Sequence, residues 1–166
     1  EGTVFHDIAS THEEMRAVYE ISQNLGRSLN VEETLSYLSS RIRRFVPFSS
    51  CVVYLANSED SRLLSHHAAG MYSDILSGVE LRMGEGLTGW VAAHNEALIN
   101  VPPDADFPNL SVLQSVFKSS LVVPLALKES VVGVISLYCD APDRYLEQHM
   151  RVLQAIAPHA GAAVSN

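Results

Sequence analysis

The sequence is poor in the features that mark redox-active, membrane-spanning or catalytic proteins. Only two of its 166 residues are cysteines, Cys51 and Cys139, so a disulfide framework is excluded and a reducing cytoplasm is indicated. No apolar run reaches the ~18 residues of a membrane span, so we expect no membrane contact by this segment. The motifs G-x-S-x-G, H-E-x-x-H and C-x-x-C are absent. We therefore predict no catalytic residues.

Positive charge is scarce as well. Eleven lysines and arginines face nineteen acids, a net charge of -8, and the only basic cluster is Arg41, Arg43 and Arg44 at the end of a predicted helix. A surface that follows nucleic-acid phosphates needs more cations, so we expect no nucleic-acid partner. His66 and His67 are the only adjacent histidines, and neighbours on a strand point to opposite faces. We therefore predict no metal site.

Apolar residues, in contrast, make up 47% of the chain. That fraction and the length predict one folded domain over residues 1–166. The chain begins at Glu1 without a signal-like apolar segment, and we expect it to be a piece of a larger multidomain protein.

Helices are predicted at both ends of the chain. Thr11 opens the first helix as a capping residue, and the apolar stripe of that helix contains Met15, Val18, Ile21 (or Ser22) and Leu25. Asn30 caps the second helix. Asp143 is predicted to open the last helix, whose buried stripe consists of Leu146, Met150, Leu153, Ala157 and Ala160.

Runs rich in β-branched and aromatic residues form two predicted hairpins, 50–56 with 62–69 and 121–127 with 131–139. Hairpins imply antiparallel pairing. The terminal helices can cover one face of this sheet, so the irregular middle, roughly residues 66–118, must cover the other. The predicted fold is α+β: an antiparallel sheet with the N- and C-terminal helices on one face and short helices and loops on the other.

Residues 84–89, Gly-Glu-Gly-Leu-Thr-Gly, match the G-x-G-x-x-G fingerprint of a dinucleotide-binding turn. That fold needs a buried parallel strand before the turn, a full crossover helix after it and an acid about 20 residues on. The preceding run 79–83 alternates apolar and polar residues, a strand-like run already begins at Ala97, and Asp104 and Asp106 lie in a proline-rich loop. The sequence therefore argues against a dinucleotide site.

A different family fits the same residues. The runs 84–90, 97–101, 121–125 and 131–137 together closely resemble the GAF domain family, over a core of about residues 15–164. The resemblance implies a non-catalytic sensory or regulatory domain of a cytoplasmic, bacterial-type signal-transduction protein. Such a domain binds a small molecule, forms a homodimer through its terminal helices, or both, and controls a linked output domain. A purely structural dimerisation module is an alternative.

In GAF domains a small ligand lies between the sheet and the irregular middle segment. The helix that starts near Leu87 could direct free backbone N–H groups at an anionic or carbonyl ligand. The alternative is a pocket filled by the protein's own side chains. Nine candidate ligand-binding residues follow from the resemblance. Strand parity propagated from it gives the strand residues, the glycine-rich turn gives two more, and the loop helix gives the last. They are Val52, Tyr54, His66, Ala68, Ser136 and Tyr138 on the strands, Leu87 and Thr88 at the turn, and Ser111 in the loop helix.

The resemblance also limits the chemistry. GAF domains that carry a bilin attach it to a cysteine in the pocket region, and residues 66–118 contain none, so we expect no covalent bilin and no cofactor. The cyclic-nucleotide motif is absent, because Asn100 is followed by Val101 and not by lysine. Some GAF-type proteins reduce free methionine sulfoxide with two cysteines, which is a further alternative. Cys51 and Cys139 are predicted to point at the helical layer instead and to pack as small hydrophobes.

Overall fold

The computed structural model describes residue 12, residues 14–21 and residues 30–165. Helix α1 covers residues 14–21. The elements are, in chain order, α2 (Val31–Ile42), β1 (Ser50–Asn57), β2 (Arg62–Gly70), α3 (Ser73–Leu76), β3 (Glu80–Arg82), α4 (Gly86–His94), β4 (Leu98–Ile99), the 3-10 turn (Asp104–Asp106), α5 (Ser111–Val116), β5 (Ser119–Leu127), β6 (Ser130–Cys139) and α6 (Glu147–Ser165).

The six strands form one sheet in the order β3-β2-β1-β6-β5-β4, with β1 and β6 at its centre. Each ladder in this sheet is antiparallel. The two predicted hairpins, β1–β2 and β5–β6, are confirmed. The parallel arrangement that a dinucleotide-binding turn requires does not occur in the part of the chain that the structure describes.

Both faces of the sheet are covered. Cys51 and Val53 of β1 point into a core shared with α1, α2 and α6. Val52 and Tyr54 point into a second core beneath α3, α4 and residues 102–117. We call residues 102–117, which contain the 3-10 turn and α5, the lid. The predicted α+β arrangement, with terminal helices on one face and short helices and loops on the other, is confirmed.

The cap predicted for the second helix is confirmed. Asn30 is the N-cap of α2, and its side-chain oxygen accepts the backbone N–H of Glu33 at 2.8 Å. The Asn30 side-chain amide in turn donates to the Glu33 carboxylate at 2.7 Å. The cap predicted at Thr11 lies outside the described residues.

The apolar stripe predicted on the first helix does not all face the core. Ala17 and Ile21 are buried and attach α1 to the helical layer, whereas Met15 is 67% exposed. Val18 is half-buried, and Leu25 lies outside the described residues. The outer side of α1 therefore presents an apolar side chain to solvent.

The last helix starts later than predicted. α6 begins at Glu147, and Asp143 lies before it with a positive φ of 51°. The intervening segment is held by long-range bonds, because the side chain of Asn100 bonds both the N–H and the carbonyl of Tyr145. Leu146 is consequently 55% exposed and does not join the buried stripe. The prediction of a start at Asp143 is wrong because tertiary contacts override the local capping signal.

No helix in the described ranges is long and apolar enough to cross a bilayer. Those same ranges hold no group of three or more His, Cys, Asp or Glu side chains placed to bind a metal ion.

Candidate functional site

A buried carboxylate, that of Asp106, joins the lid to α4 and to the sheet. Asp106 ends the 3-10 turn and is fully buried. Its Oδ1 accepts the backbone N–H groups of Leu87 at 2.8 Å and Thr88 at 3.1 Å. Its Oδ2 accepts the hydroxyls of Thr88 at 2.8 Å and Tyr138 at 2.7 Å. Four donors from α4 and β6 therefore converge on one side chain of the lid.

The side chain of Asp106 caps the N-terminus of α4 in place of a neighbouring residue. The first N–H groups of a helix have no partner within it, and a nearby side-chain oxygen commonly supplies one. Glu85, the N-cap residue, makes no such bond. Asp106 supplies it from a distant part of the chain and places negative charge at the positive end of the helix dipole. The prediction of free N–H groups near Leu87 is therefore wrong, since those groups are bonded to this carboxylate.

The hydroxyls around Asp106 form two directed chains. An ionised carboxylate only accepts hydrogen bonds, so Thr88 and Tyr138 donate to it. The Thr88 hydroxyl lies 2.7 Å from that of Ser136, and the Tyr138 hydroxyl lies 3.0 Å from that of Tyr54. When Asp106 is ionised, Thr88 and Tyr138 use their protons on it, so Ser136 and Tyr54 donate to them. Each chain of donors therefore runs from the sheet toward the carboxylate.

Burial controls the protonation of this network. It raises the pKa of Asp106 above its usual value, and the hydrogen bonds from Tyr138 and Thr88 oppose part of that rise. Burial also raises the pKa of Tyr138 and Tyr54, and the nearby charge of Asp106 adds to both shifts. Both phenols therefore keep their protons and remain available as donors.

Two glycines of the G-x-G-x-x-G run are explained by close approach within the chain. Gly86 has a φ of +66°, and a Cβ added there would collide with the Asp106 carboxylate and lie 2.8 Å from the carbonyl oxygen of Ala105. A Cβ at Gly89 would collide with the carbonyl oxygen of Arg82 in β3. Glycine is therefore needed where α4 meets the lid and where it meets β3.

Aromatic side chains fill the space around the carboxylate. The ring of Phe107 lies 4.9 Å from that of Tyr138, and the ring of Phe117 lies 5.5 Å from it. Phe107, Phe117, Tyr138 and Tyr54 are each at most 1% exposed. In this structure the protein's own side chains occupy the space between the lid and the sheet.

Seven of the nine predicted site residues lie in the second core or in the network attached to it. His66 and Ser111 are exposed and do not join them. The residues that come together are Val52, Tyr54, Ala68, Leu87, Thr88, Ser136 and Tyr138.

Strand parity fails at His66 because of a β-bulge. Val52 pairs with Ala68, but Tyr54 pairs with Ser65, so β2 contains one more residue than β1 between these pairs. The alternation shifts by one residue, and Ser65 instead of His66 lies opposite Tyr54. The hydroxyl of Ser65 is buried and has no hydrogen-bond partner among the described residues.

Sequence reasoning missed the central residue of the site. Asp106 lies in a loop between Pro103 and Pro108, where acids are usually solvated turn residues. Asp104, two positions earlier in the same turn, is exposed. No local pattern distinguishes one acid from the other, because the partners of Asp106 come from α4 and β6.

Both cysteines lie on the helical side of the sheet, as predicted. Cys51 and Cys139 are buried in the core with α1, α2 and α6. Burial raises the pKa of the Cys51 thiol to about 12. The hydroxyl of Ser49 donates to the sulfur of Cys139 at 3.7 Å. The raised pKa keeps the Cys51 thiol protonated, and both buried cysteines pack as small hydrophobes.

A further polar contact connects the segment that carries Asp106 with the last helix. Asn100 follows β4 and has a φ of +60°. Its Nδ2 donates to the carbonyl of Tyr145 at 2.7 Å, and its Oδ1 accepts the Tyr145 N–H at 2.9 Å. Tyr145 lies just before α6. Two hydrogen bonds therefore tie the approach to the lid to the start of α6.

Comparison with known proteins places the chain in a family. The GAF domain model matches residues 28–165, so the chain belongs to the GAF domain family. The chain is also similar to the Nif-specific regulatory protein of Azospirillum lipoferum, with 27% identity over 161 residues that cover 91% of this chain and 26% of that protein. The chain therefore spans about a quarter of the length of the relative it matches.

Solved structures share the fold at low sequence identity. The GAF domain of a phosphoenolpyruvate-protein phosphotransferase from Coxiella burnetii has a TM-score of 0.79 at 18% identity, over 93% of this chain and 94% of that one. The free methionine-R-sulfoxide reductase of Neisseria meningitidis, solved with its substrate, has a TM-score of 0.75 at 16% identity, over 92% of this chain and 88% of that one. At such identities the likeness shows the fold alone.

Proposed function

We propose that this chain is a non-catalytic sensory or regulatory GAF domain that controls a linked output domain in a cytoplasmic signal-transduction protein. The observation that carries the proposal is the match to the Nif-specific regulatory protein, in which 91% of this chain aligns with 26% of the relative. A domain that accounts for about a quarter of a regulator leaves most of that protein for other domains, among them an output domain.

The buried polar network supports a sensing role for the space beneath the lid. Burying charged and polar groups costs free energy that an apolar core would not require. Several groups with shifted pKa values in one buried cluster are also typical of functional sites. We infer that a small molecule binds here when the lid moves, with polar contacts from Tyr54, Thr88, Ser136 and Tyr138 and apolar contacts from Val52, Ala68 and Leu87.

Two connections link this site to the terminal helices. β6 contributes Ser136 to the network, while Ile135 and Leu137 on its other face pack in the helical core. Asn100 and Tyr145 form the second connection, at the start of α6. A ligand changes the placement of α6 only if it binds one arrangement more tightly than another.

We also propose a homodimer through the terminal helices. Met15 and Tyr19, four residues apart on α1, are 67% and 68% exposed, and neighbouring exposed apolar side chains favour a partner surface. Ala160 and Gly161 do not contribute, because they are buried, Gly161 against Ala126 of β5 in the same chain. The proposed interface consists of the outer side of α1 and the half-buried end of α6, residues 162–164.

Trp90 provides the test of ligand binding. It is the only tryptophan, is half-buried and packs against the second core. A panel of small metabolites should include a class that changes Trp90 emission and raises the melting temperature. Ser136→Ala should weaken that response, whereas Asp104→Ala, at an exposed acid, should leave it unchanged.

The outcomes separate the candidate roles. A panel without any change in emission or melting temperature argues against the sensing role. If light scattering then shows a dimer, the chain is a structural dimerisation module. A monomer at high concentration contradicts the homodimer.

Reduction of free methionine sulfoxide is the second candidate, favoured by the fold likeness to the Neisseria meningitidis reductase. The buried thiol of Cys51, with a pKa of about 12, opposes it because the thiolate is the nucleophile. We expect no reductase activity in the unmodified chain. Activity that disappears on replacing Cys51 and Cys139 by serine would establish the reductase and displace the sensory proposal.

A further inference from the structure

The hydrogen bonds that attach the lid to the rest of the domain are concentrated on one side chain. Among the described residues, every hydrogen bond between the lid, residues 102–117, and the rest of the domain is accepted by the side chain of Asp106. The other hydrogen bonds of the lid are internal, such as Phe107 N–H to the Asp104 carbonyl at 3.0 Å and the Gln114 side-chain amide to the Phe107 carbonyl at 2.8 Å. The polar attachment of the lid therefore depends on one carboxylate.

Both ends of the lid are anchored. Before the lid, the carbonyl of Val101 accepts the hydroxyl of Ser120 at 2.6 Å. After the lid, the backbone N–H of Lys118 donates to the carbonyl of Cys139 at 2.8 Å. A segment with internal bonds, two fixed ends and one central polar contact can move as a unit when its buried side chains, Phe107, Leu113 and Phe117, leave the second core with it.

The partners of Asp106 are held independently of the lid. The start of α4 is closed by the N–H of Gly84, which donates to the carbonyl of Gly89 at 2.8 Å, and Gly89 packs against β3. Tyr138 belongs to β6, a central strand of the sheet. The donors for the carboxylate therefore remain in place when the lid leaves.

We propose that Asp106 is a latch: its carboxylate holds the lid on α4 and β6, and its withdrawal opens the lid as a unit while the sheet and the helical layer stay folded. This inference rests on the proposed function only in that the space beneath the lid is the sensing site. The closed lid is then the resting state, and a ligand has to displace Asp106 to enter.

Amide hydrogen exchange tests the latch at the bonds themselves. In the unmodified chain under native conditions, the amides of Leu87 and Thr88 and those of the lid should exchange through a local opening, faster than amides of β1, β6 and α2. In Asp106→Ala these same amides should exchange about tenfold faster or more, with the central strands unchanged. Asp104→Ala removes an exposed acid of the same turn and should match the unmodified chain.

Formate provides a chemical test of the same contact, because Asp106→Ala removes a group of the size of formate. Added formate should slow the exchange of the Leu87 and Thr88 amides in this variant in a saturable manner, and chloride at equal ionic strength should not. Asp106→Asn, which keeps one oxygen for the two N–H groups, should show intermediate exchange and no response to formate. It also serves as the test variant if the alanine variant does not fold.

Several results would overturn the latch. Equal acceleration in all segments of both Asp106 variants would show that the carboxylate supports the whole domain. The latch would also be excluded if the Leu87 and Thr88 amides of the unmodified chain exchanged only through global unfolding. The same holds if formate had no effect on amide exchange in the alanine variant. The ligand screen with Trp90 is independent of these readouts, so failure of the latch and failure of the sensing role are distinguishable.

Discussion

Replacing Gly86 by alanine tests the contact around which the site is built. A residue with a Cβ in the left-handed region costs roughly 1–2 kcal/mol. The new methyl group also collides with the carboxylate of Asp106, which must leave the N–H groups of Leu87 and Thr88. Burying unpaired donors adds about 2–3 kcal/mol. We therefore expect Gly86→Ala to lower the free energy of unfolding by about 3–5 kcal/mol.

Urea unfolding followed by Trp90 fluorescence and circular dichroism measures this loss. Gly78→Ala is the matched control, because an added Cβ at Gly78 meets only the carbonyl oxygen of Ile75, at 3.6 Å. That is an ordinary contact, so the control should change the free energy of unfolding by less than about 0.5 kcal/mol.

A double-mutant cycle identifies the colliding partner. In an Asp106→Ala background the carboxylate is gone, so Gly86→Ala should cost about 2 kcal/mol less than it does in the unmodified chain. The close approach to the Ala105 carbonyl is common to both backgrounds and cancels. The expected coupling is about 2 kcal/mol. Free energies that add to within about 0.5 kcal/mol would refute the collision with Asp106.

Three other measurements test separate features. Burial raises the pKa of Asp106, so the folded chain binds the proton more tightly, and stability should fall as the pH rises from the normal carboxyl value of 3.8 through the higher folded value. Asp106→Asn should lose this slope, and equal slopes in both proteins would contradict it. Asn100→Gly keeps a positive φ but removes two bonds to Tyr145, so it should cost about 1–2 kcal/mol in urea unfolding; no loss would exclude the tie. Cys51, with a pKa of about 12, should react with a thiol reagent only in denaturant, and rapid labelling of the native protein at neutral pH would contradict its burial.

The elements that local periodicity specifies were predictable from the residues. The runs of β-branched residues in β1 and β6 predicted strands, and both exist with nearly the predicted bounds. Alternation along these strands, with its starting face taken from the GAF resemblance, also placed Val52, Tyr54, Ser136 and Tyr138 on one face correctly. The same rule failed at His66, because a bulge in β2 is set by the pairing of two strands and leaves no mark in the sequence of either.

The start of α6 is a second feature that local sequence signals did not predict. Asp143 carries a local capping signal, but Asn100 bonds the backbone of Tyr145 and keeps the chain out of a helix until Glu147. A contact between residues so far apart along the chain is decided by packing and not by propensity.

The amino-acid sequence by itself determined the antiparallel sheet, the helices behind it and the two buried cysteines, because apolar spacing and turn residues act over a few neighbouring positions. Only the tertiary structure decided that Asp106 is buried, that it caps α4 from the lid and that Gly86 must lack a side chain to admit it. A carboxylate stays in a protein interior only where donors from several elements converge, and that convergence exists only in the folded chain.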